Sequence, residues 1–297
     1  MKTLIVIKGP TGVGKTELCL HIAEYFGIPI INADSRQIFA EIPIGTAAPT
    51  TEQQKKAKHY FVGNHHLRDY YSASMFEKDV LDLLDKLFRD NDYALMSGGS
   101  MMYVDAVCYG IDDLPTVKDS IRSLMKRRLE KEGLESLVEE LKQKDYKHWL
   151  NIDRNNPRRV IHALEICHQT GKQYSSFLKK TKAERPFHIV NVGLTLDRET
   201  LYNRINERVM HMIDKGLVEE AKNVYPLRGL NSLNTVGYKE LFSHFDGNMS
   251  LDEAVFKIQS NTRCYCRKQQ TWFKRDATTR WFHPDAFKEI IDYIDNN

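Results

Sequence analysis

The sequence is poor in cysteine, in proline and in long apolar runs, and each shortage removes a class of protein. Its five cysteines (Cys19, Cys108, Cys167, Cys264 and Cys266) are odd in number, scattered, and contain no C-x-x-C pair of the kind that zinc sites and redox motifs use. That excludes a disulfide-stapled scaffold and predicts a cytoplasmic protein with no structural metal. No apolar stretch approaches the roughly 20 residues that cross a bilayer. The short run after Met1 stops at Lys8 and Gly9 and reads as a strand, not a signal peptide. Nine prolines and 16 glycines in 297 residues leave no flexible linker, and no internal repeat or low-complexity segment is visible. What is present, 41% hydrophobic and 10% aromatic residues, is enough to bury a substantial core.

Net charge is also low, at +3, but it is unevenly spread. Between Lys118 and Arg185 there are 17 Lys and Arg against 10 Asp and Glu, and between Lys257 and Arg280 there are 7 against 1, so the rest of the chain is acidic. Two basic segments on an acidic body suit the binding of a polyanion. Two solvated helix faces would give the same count.

Thr3 to Ile7 reads as a continuous apolar strand, followed by a helix from Lys15 to Phe26 with Cys19, Ile22, Ala23 and Phe26 on one face and Gly27 as its stop. A second strand is expected from Ile28 to Ala33. A helix with Phe76, Val80, Leu83, Leu84, Leu87 and Phe88 inward is expected behind a capping box of Ser74 and Glu77, and a further strand from Tyr93 to Met96. Alternating strands and helices predict an α/β fold, a P-loop-type parallel sheet core with its ligand at the carboxyl ends of the strands. Beyond Leu114-Pro115 the strand signal stops for about 70 residues, with Leu124, Leu129, Leu134, Leu137 and Leu141 at helical spacing, until Ile189 to Leu194 restores it. An all-α domain inserted at 117–186 accounts for this, with the core formed by 1–116 and 187–297. After the insert come a helix from about Arg198 to Met212, ending near Gly216, and a long one opened by Ser250 and Glu253.

Gly9-Pro10-Thr11-Gly12-Val13-Gly14-Lys15-Thr16 fits G-x-x-x-x-G-K-[ST] between a strand and a helix, the context this phosphate-binding loop requires. Gly12 and Gly14 let successive N–H groups turn inward around phosphate oxygens at a helix N-terminus. Lys15 adds a point charge, and Thr16 a hydroxyl for Mg2+. Nucleotide hydrolases and kinases usually end a nearby apolar strand in an acid that helps to hold Mg2+. Here Tyr93-Ala94-Leu95-Met96 runs into Ser97-Gly98-Gly99-Ser100, with no acid. The available carboxylate is Asp34, at the end of the second strand. Next to bound phosphates it would hold the metal or take a proton in the reaction, or it simply caps the segment that follows. The pair His65-His66 has no third ligand at metal spacing and reads as surface histidines.

With these residues in place, the chain resembles the tRNA dimethylallyltransferases (tRNA isopentenyltransferases) along nearly its whole length. The resemblance rests on ordered pieces: Gly9 to Thr16, Ala33-Asp34-Ser35 with Gln37, Ile44-Gly45-Thr46-Ala47, Gly98-Gly99 with Tyr103, Leu114-Pro115, and Ala163-Leu164-Glu165 before Thr170-Gly171-Lys172. It continues through Asp197-Arg198, Leu201-Tyr202, Arg204-Ile205, Arg208, Gly216-Leu217-Val218 and Val236-Gly237-Tyr238-Lys239-Glu240. It closes with Thr262-Arg263, Tyr265, Gln269 and Thr271-Trp272-Phe273.

The resemblance implies that dimethylallyl diphosphate with Mg2+, not ATP, occupies the loop. It implies transfer of the dimethylallyl group to N6 of adenosine 37 beside the anticodon of tRNA, by a protein expected to act as a monomer. Adenine's exocyclic amine is a poor nucleophile, so Asp34 is assigned as the base, with Lys15, Thr16 and Arg208 neutralising the leaving diphosphate. A surface ion pair is the simpler role for Arg208. Contacts with tRNA are implied for Asp34, Ser35, Arg36, Gln37, Ser100, Arg122, Arg158, Arg159 and His162. They are also implied for Val236, Gly237, Tyr238 and Lys239, and for Arg263, Arg267, Lys268, Gln269 and Lys274. Helical spacing independently puts Arg263, Arg267, Gln270 and Lys274 on one face and turns Ile258, Cys266 and Phe273 inward. Trp272 reads as core in preference to a base-stacking platform.

The chain departs from the family pattern at Ser100, where threonine is usual, at Arg158-Arg159-Val160-Ile161-His162, where Gln-Arg-x-x-Arg is usual, and at Ala48 and Lys58-His59-Tyr60. Those departures bear on which tRNA is bound. An adenylate isopentenyltransferase would not need the two basic segments. A small-molecule P-loop kinase would carry an acid after Met96. An RNA-binding protein with a degenerate loop would not keep Lys15, Thr16 and Asp34 together.

Overall fold

A computed structural model describes residues 1–112, 114–178 and 183–297. Strands β1 (Thr3–Lys8), β2 (Ile30–Asn32), β3 (His59–Tyr60), β4 (Tyr93–Gly98), β5 (His188–Leu194) and β6 (Arg280–Phe282) form one parallel sheet in the order β3-β2-β4-β1-β5-β6. The fold is α/β with a P-loop-type core. β1 lies between β4 and β5, with Lys8 level with Gly98 on one side and Gly193 on the other. The carboxyl ends of β1, β2 and β4 therefore share one edge of the sheet.

In chain order the helices are α1 (Lys15–Phe26), α2 (Pro43–Thr46), α3 (Thr51–Lys56), α4 (Ala73–Asp90), α5 (Met101–Tyr109), α6 (Asp119–Lys144), α7 (Tyr146–Trp149) and α8 (Pro157–Thr170). They continue as α9 (Arg198–Asp214), α10 (Leu217–Val224), α11 (Tyr238–Phe245), α12 (Leu251–Phe273) and α13 (Phe287–Asp295). The period-2 alternation of β1 decides what each face covers. Ile5 and Ile7 pack with Leu18, Cys19 and Ile22 of α1. Leu4 and Val6 face the other way, with Phe76, Val80 and Leu84 of α4.

Two local expectations are corrected. β2 is shorter than 28–33, because the Ile28 amide donates to Ala23 O (3.0 Å) in closing α1, while Ala33 has passed to the loop beyond, bonded to Ser97 O (2.7 Å). The cap of α4 is Ser72, not Ser74: its hydroxyl accepts from Met75 N (3.2 Å). Glu77 is engaged elsewhere, by the buried Arg185 guanidinium (2.6 Å), which also donates to the carbonyls of Ala106 and Val107 at the end of α5. The box of Ser250 and Glu253 at the start of α12 forms as the spacing requires.

Immediately before the glycine-rich loop, Lys8 is 2% exposed and its ammonium donates to Asp276 Oδ2 (2.6 Å). Tyr109 also donates to that oxygen, and Thr278 to Oδ1 (2.7 Å). Burial works against the Asp276 carboxylate, but Lys8, Tyr109 and Thr278 outweigh it and hold its pKa well below the usual range. This staple ties the end of β1 to the turn after α12. Lys8→Ala leaves the half-buried acid without its cation and is expected to cost about 3 kcal/mol, the low end of the cost of breaking a buried pair. Urea unfolding measures it; a loss below about 1 kcal/mol would reduce the pair to a surface contact.

The chain divides into two compact units, one of residues 1–109 and 184–297 and the other of 110–183. The second is all-helical among its described residues. Met125, Leu137 and Leu141 of α6 pack on Val160, Ala163 and Leu164 of α8. Gly133 (φ 79°) breaks α6 in two, which lets both halves lie on α8. Lys179, Lys180 and Lys182, part of the basic surplus of this segment, lie outside the described residues.

Candidate active site

At the carboxyl edge of the sheet a cleft of about 810 Å³ opens, lined by residues of the first unit alone. Its floor is the loop 9–16. Gly9 is packed so closely that a Cβ would stand 2.9 Å from Leu194 O. Gly12 and Gly14 have φ of 81° and 105°, angles closed to most residues, and Gly14 opens α1. Pro10 and Val13 are buried, whereas Thr16 is exposed to the cleft. Lys15 Nζ reaches back over the loop to Gly9 O (2.9 Å) and Pro10 O (2.8 Å). Desolvation lowers its pKa to about 8, the Arg208 guanidinium adds to the fall, and Asp34 opposes it.

Across from the loop stand Asp34 and the residues after it. Asp34 Oδ1 accepts from the amides of Arg36 (2.9 Å) and Gln37 (3.3 Å), so one oxygen caps the turn. Oδ2 carries no hydrogen bond among the described residues. Ser100 is buried, and its hydroxyl accepts from Ser35 N (2.8 Å) and contacts Ser35 Oγ (3.1 Å). The loop holding Asp34 is thereby fixed to the end of β4. Gly98 makes that approach possible, since a Cβ there would meet Ala33 O at 2.0 Å. Arg36, half-buried, has its pKa lowered by burial against the opposing charge of Asp34.

Arg208 comes in from α9. Its guanidinium bonds Thr46 O (3.4 Å) and points into the cleft; burial lowers its pKa, and the negative charge of Asp34 is the force that opposes this. A half-buried arginine facing a carboxylate and a phosphate-type loop is not the surface ion pair that its helix position alone would suggest. Lys15, Arg208 and Asp34 thus feel one another's charge in a single cleft, where the pKa of both cations is lowered, a placement that favours chemistry.

Several residues expected to meet RNA are used inside the protein. Gln269 is 2% exposed: its Oε1 accepts from Thr11 N (2.9 Å) and its Nε2 donates to Gly99 O (2.8 Å), so it bridges the loop to the end of β4. Tyr238 is fully buried, with its hydroxyl on Glu220. Gly237 is buried at the start of α11, while Val236 and the exposed Lys239 line the cleft. On α12, Ile258, Cys266 and Phe273 turn inward as their spacing requires. Arg263 bonds Asn206 Oδ1 and Arg267 bonds the Tyr202 hydroxyl (3.0 Å), whereas Lys268 and Lys274 are exposed. Trp272 is half-buried against the core, its indole N–H on Asp105 (2.7 Å).

Four expected contacts fall in the second unit. Arg122 is half-buried on α6. Arg158 and Arg159 are exposed at the start of α8, where the helix dipole disfavours cations, and His162 follows one turn later, 3.5 Å from Glu165. Of the histidine pair, His66 is exposed beside Glu41 (3.1 Å), but His65 is half-buried with its ring against Tyr71 (4.2 Å). Among the described residues no group of three His, Cys, Asp or Glu side chains could hold a metal ion.

A family model described as IPP transferase matches residues 37–276. The chain belongs to that family. It is 58% identical over 293 residues to tRNA dimethylallyltransferase 1 of Bacteroides fragilis, covering 99% of this chain and 97% of the relative. To tRNA dimethylallyltransferase 2 of Parabacteroides distasonis it is 56% identical over 294 residues, covering 99% and 98%. Among solved structures, the tRNA isopentenylpyrophosphate transferase of Bacillus halodurans superposes with a TM-score of 0.73 at 31% identity, covering 100% of this chain and 96% of that one. A eukaryotic dimethylallyltransferase solved acting on tRNA gives a TM-score of 0.82 at 22% identity, which bears on the fold alone; 80% of that chain is covered. No helix among the described residues is long and apolar enough to cross a membrane.

Proposed function

We propose that the protein transfers the dimethylallyl group of dimethylallyl diphosphate to N6 of adenosine 37 in the anticodon loop of tRNA, releasing diphosphate. The observation that carries the reading is the cleft itself, in which Asp34, with Oδ2 free, shares the space above the loop 9–16 with Lys15 and Arg208. Relatives over 50% identical along nearly the whole chain bear the name of that activity.

In the transfer, the N6 lone pair attacks C1 of the donor and the C1–O bond breaks, its electron pair leaving with the diphosphate. The N6 proton passes to Asp34. Lys15, the loop amides and Arg208 offset the charge that grows on the leaving group. Thr16 suits a Mg2+ ion that takes most of its ligands from diphosphate and water, since such ions commonly use only one or two protein groups. When bound, the ion would supply further positive charge to the diphosphate. We place the protein in the cytoplasm, acting as a monomer.

Basic residues on α12 and α8 supply the tRNA contacts in this reading. Replacing Arg263, Arg267 and Lys274 together by alanine is expected to weaken tRNA binding and flatten its salt dependence, with donor affinity unchanged. Filter binding across a salt series checks it. The choice of donor is tested by calorimetry with Mg2+: dimethylallyl diphosphate should bind and ATP should not. Tight binding and hydrolysis of ATP, with no heat from the prenyl diphosphate, would favour a kinase.

A further inference from the structure

Glu220 lies on α10, 9% exposed, and does not line the cleft. Yet its carboxylate is fully engaged in shaping one wall. Oε2 accepts from Ile44 N (2.8 Å), and Oε1 accepts from Gly45 N (2.8 Å) and from the Tyr238 hydroxyl. These amides belong to the first turn of α2, where no intrahelical acceptor exists, so a side chain 175 residues away supplies it. Burial and the adjacent carboxylate push the Tyr238 phenol pKa upward, which keeps it a donor. Gly45 is required at the contact, since a Cβ would stand 2.4 Å from the Tyr238 oxygen.

What α2 presents to the cleft is its last turn. Thr46 O accepts from Arg208 (3.4 Å) and from Gln37 Nε2 (3.0 Å), and Ala47 O accepts from the same Gln37 nitrogen (3.0 Å). Ala47 holds a left-handed backbone (φ 47°), a strained conformation for a residue with a Cβ, which the bonds on either side maintain. Gln37 in turn donates its amide to Asp34 Oδ1. A continuous path of hydrogen bonds therefore runs from Glu220 through α2 to both Arg208 and Asp34. No other acceptor among the described residues takes the Ile44 and Gly45 amides.

We infer that Glu220 is a positioning residue for the transfer: it fixes α2 so that the Thr46 and Ala47 carbonyls aim Arg208 and Gln37, and it acts through them without touching either substrate. The inference rests on the function proposed above. Glu220→Gln keeps the shape but turns one acceptor oxygen into an NH2 group that faces an N–H, so the turn loses an anchor. Tyr238→Phe removes only the phenol donor and leaves both backbone bonds.

The test is single-turnover transfer at saturating donor and tRNA, with the parent, E220Q, Y238F, R208A and the double variant E220Q/R208A. E220Q should lower the rate about tenfold, the worth of one well-placed hydrogen bond, while the Kd for dimethylallyl diphosphate stays within about threefold. In the R208A background E220Q should lower the rate by a clearly smaller factor than in the parent, because only the Gln37 arm of the path remains and residues acting through one another are not additive. Y238F should fold and lower the rate by a smaller factor, and its effect should likewise shrink in a second double variant, Y238F/R208A, which decides the matter if E220Q does not fold. Full additivity in these cycles, or a parent-like rate for folded E220Q, overturns the inference while leaving the function standing. A parent protein that leaves tRNA unmodified overturns the function, and the inference with it.

Discussion

Asp34→Asn is expected to lower the single-turnover rate of transfer by roughly 10² to 10⁴, the usual worth of a positioned base, with little change in the binding of donor or tRNA. The amide can still cap the turn through its oxygen, as Asp34 Oδ1 does for Arg36 N and Gln37 N, so the loop should keep its shape. What it cannot do is accept a proton at the second position. Were Asp34 instead a ligand of Mg2+, the same substitution would chiefly weaken donor binding, and added Mg2+ would restore part of the rate. Rates at several Mg2+ concentrations separate the two. A rate within a few-fold of the parent would remove Asp34 from the mechanism.

Lys15→Met is expected to lower the rate by about 10² to 10³, the range seen when one preorganised donor to a developing negative charge is lost. Its titration gives an independent check. In the free protein desolvation and Arg208 lower the Lys15 pKa from 10.5 to about 8, so the ammonium is lost as pH rises through 8. Donor affinity should therefore fall above pH 8, approaching tenfold per unit as an order of magnitude, and binding near pH 8 should take up a proton. Calorimetry in buffers of different ionisation enthalpy reads that proton. In Lys15→Met both signatures should vanish. The linkage to stability has the opposite sense: between pH 8 and 10.5 the unfolded chain binds more protons than the folded one, so this group makes stability rise with pH there. A donor affinity flat from pH 7 to 9 would contradict the assignment of Lys15.

Much of the site was legible because it is local. The loop 9–16 carries its own geometry in its glycines, and the apolar run before it and the helix after it can be read without a partner. Asp34 was legible by strand order, since β2 ends beside β4 and one strand from β1. The inward face of α12 was legible from Ile258, Cys266 and Phe273. That same stripe contains Gln269, three residues after Cys266 and four before Phe273, and this spacing was the available sign that Gln269 is buried and bonded inside the protein. Tyr238 likewise shares a helix face with the buried Leu241 and Phe242, but its partner Glu220 lies on another helix, and nothing local marks the pair. Glu220, Lys8 and Asp276 were missed for the same reason. Each is a charged residue whose meaning comes from a partner many residues away, and a charged side chain read alone is assigned to the surface. The cap of α4 failed because Ser72 and Ser74 flank its first residue, and Glu77, which would complete a box with Ser74, is bound by Arg185.

The most direct test of the account is to incubate the protein with Mg2+ and isotopically labelled dimethylallyl diphosphate, offering either tRNA or AMP as acceptor. Label should enter tRNA, survive digestion to nucleosides as one N6-substituted adenosine, and be absent from AMP. Label in AMP with none in tRNA, or label in neither while ATP is consumed, would contradict it.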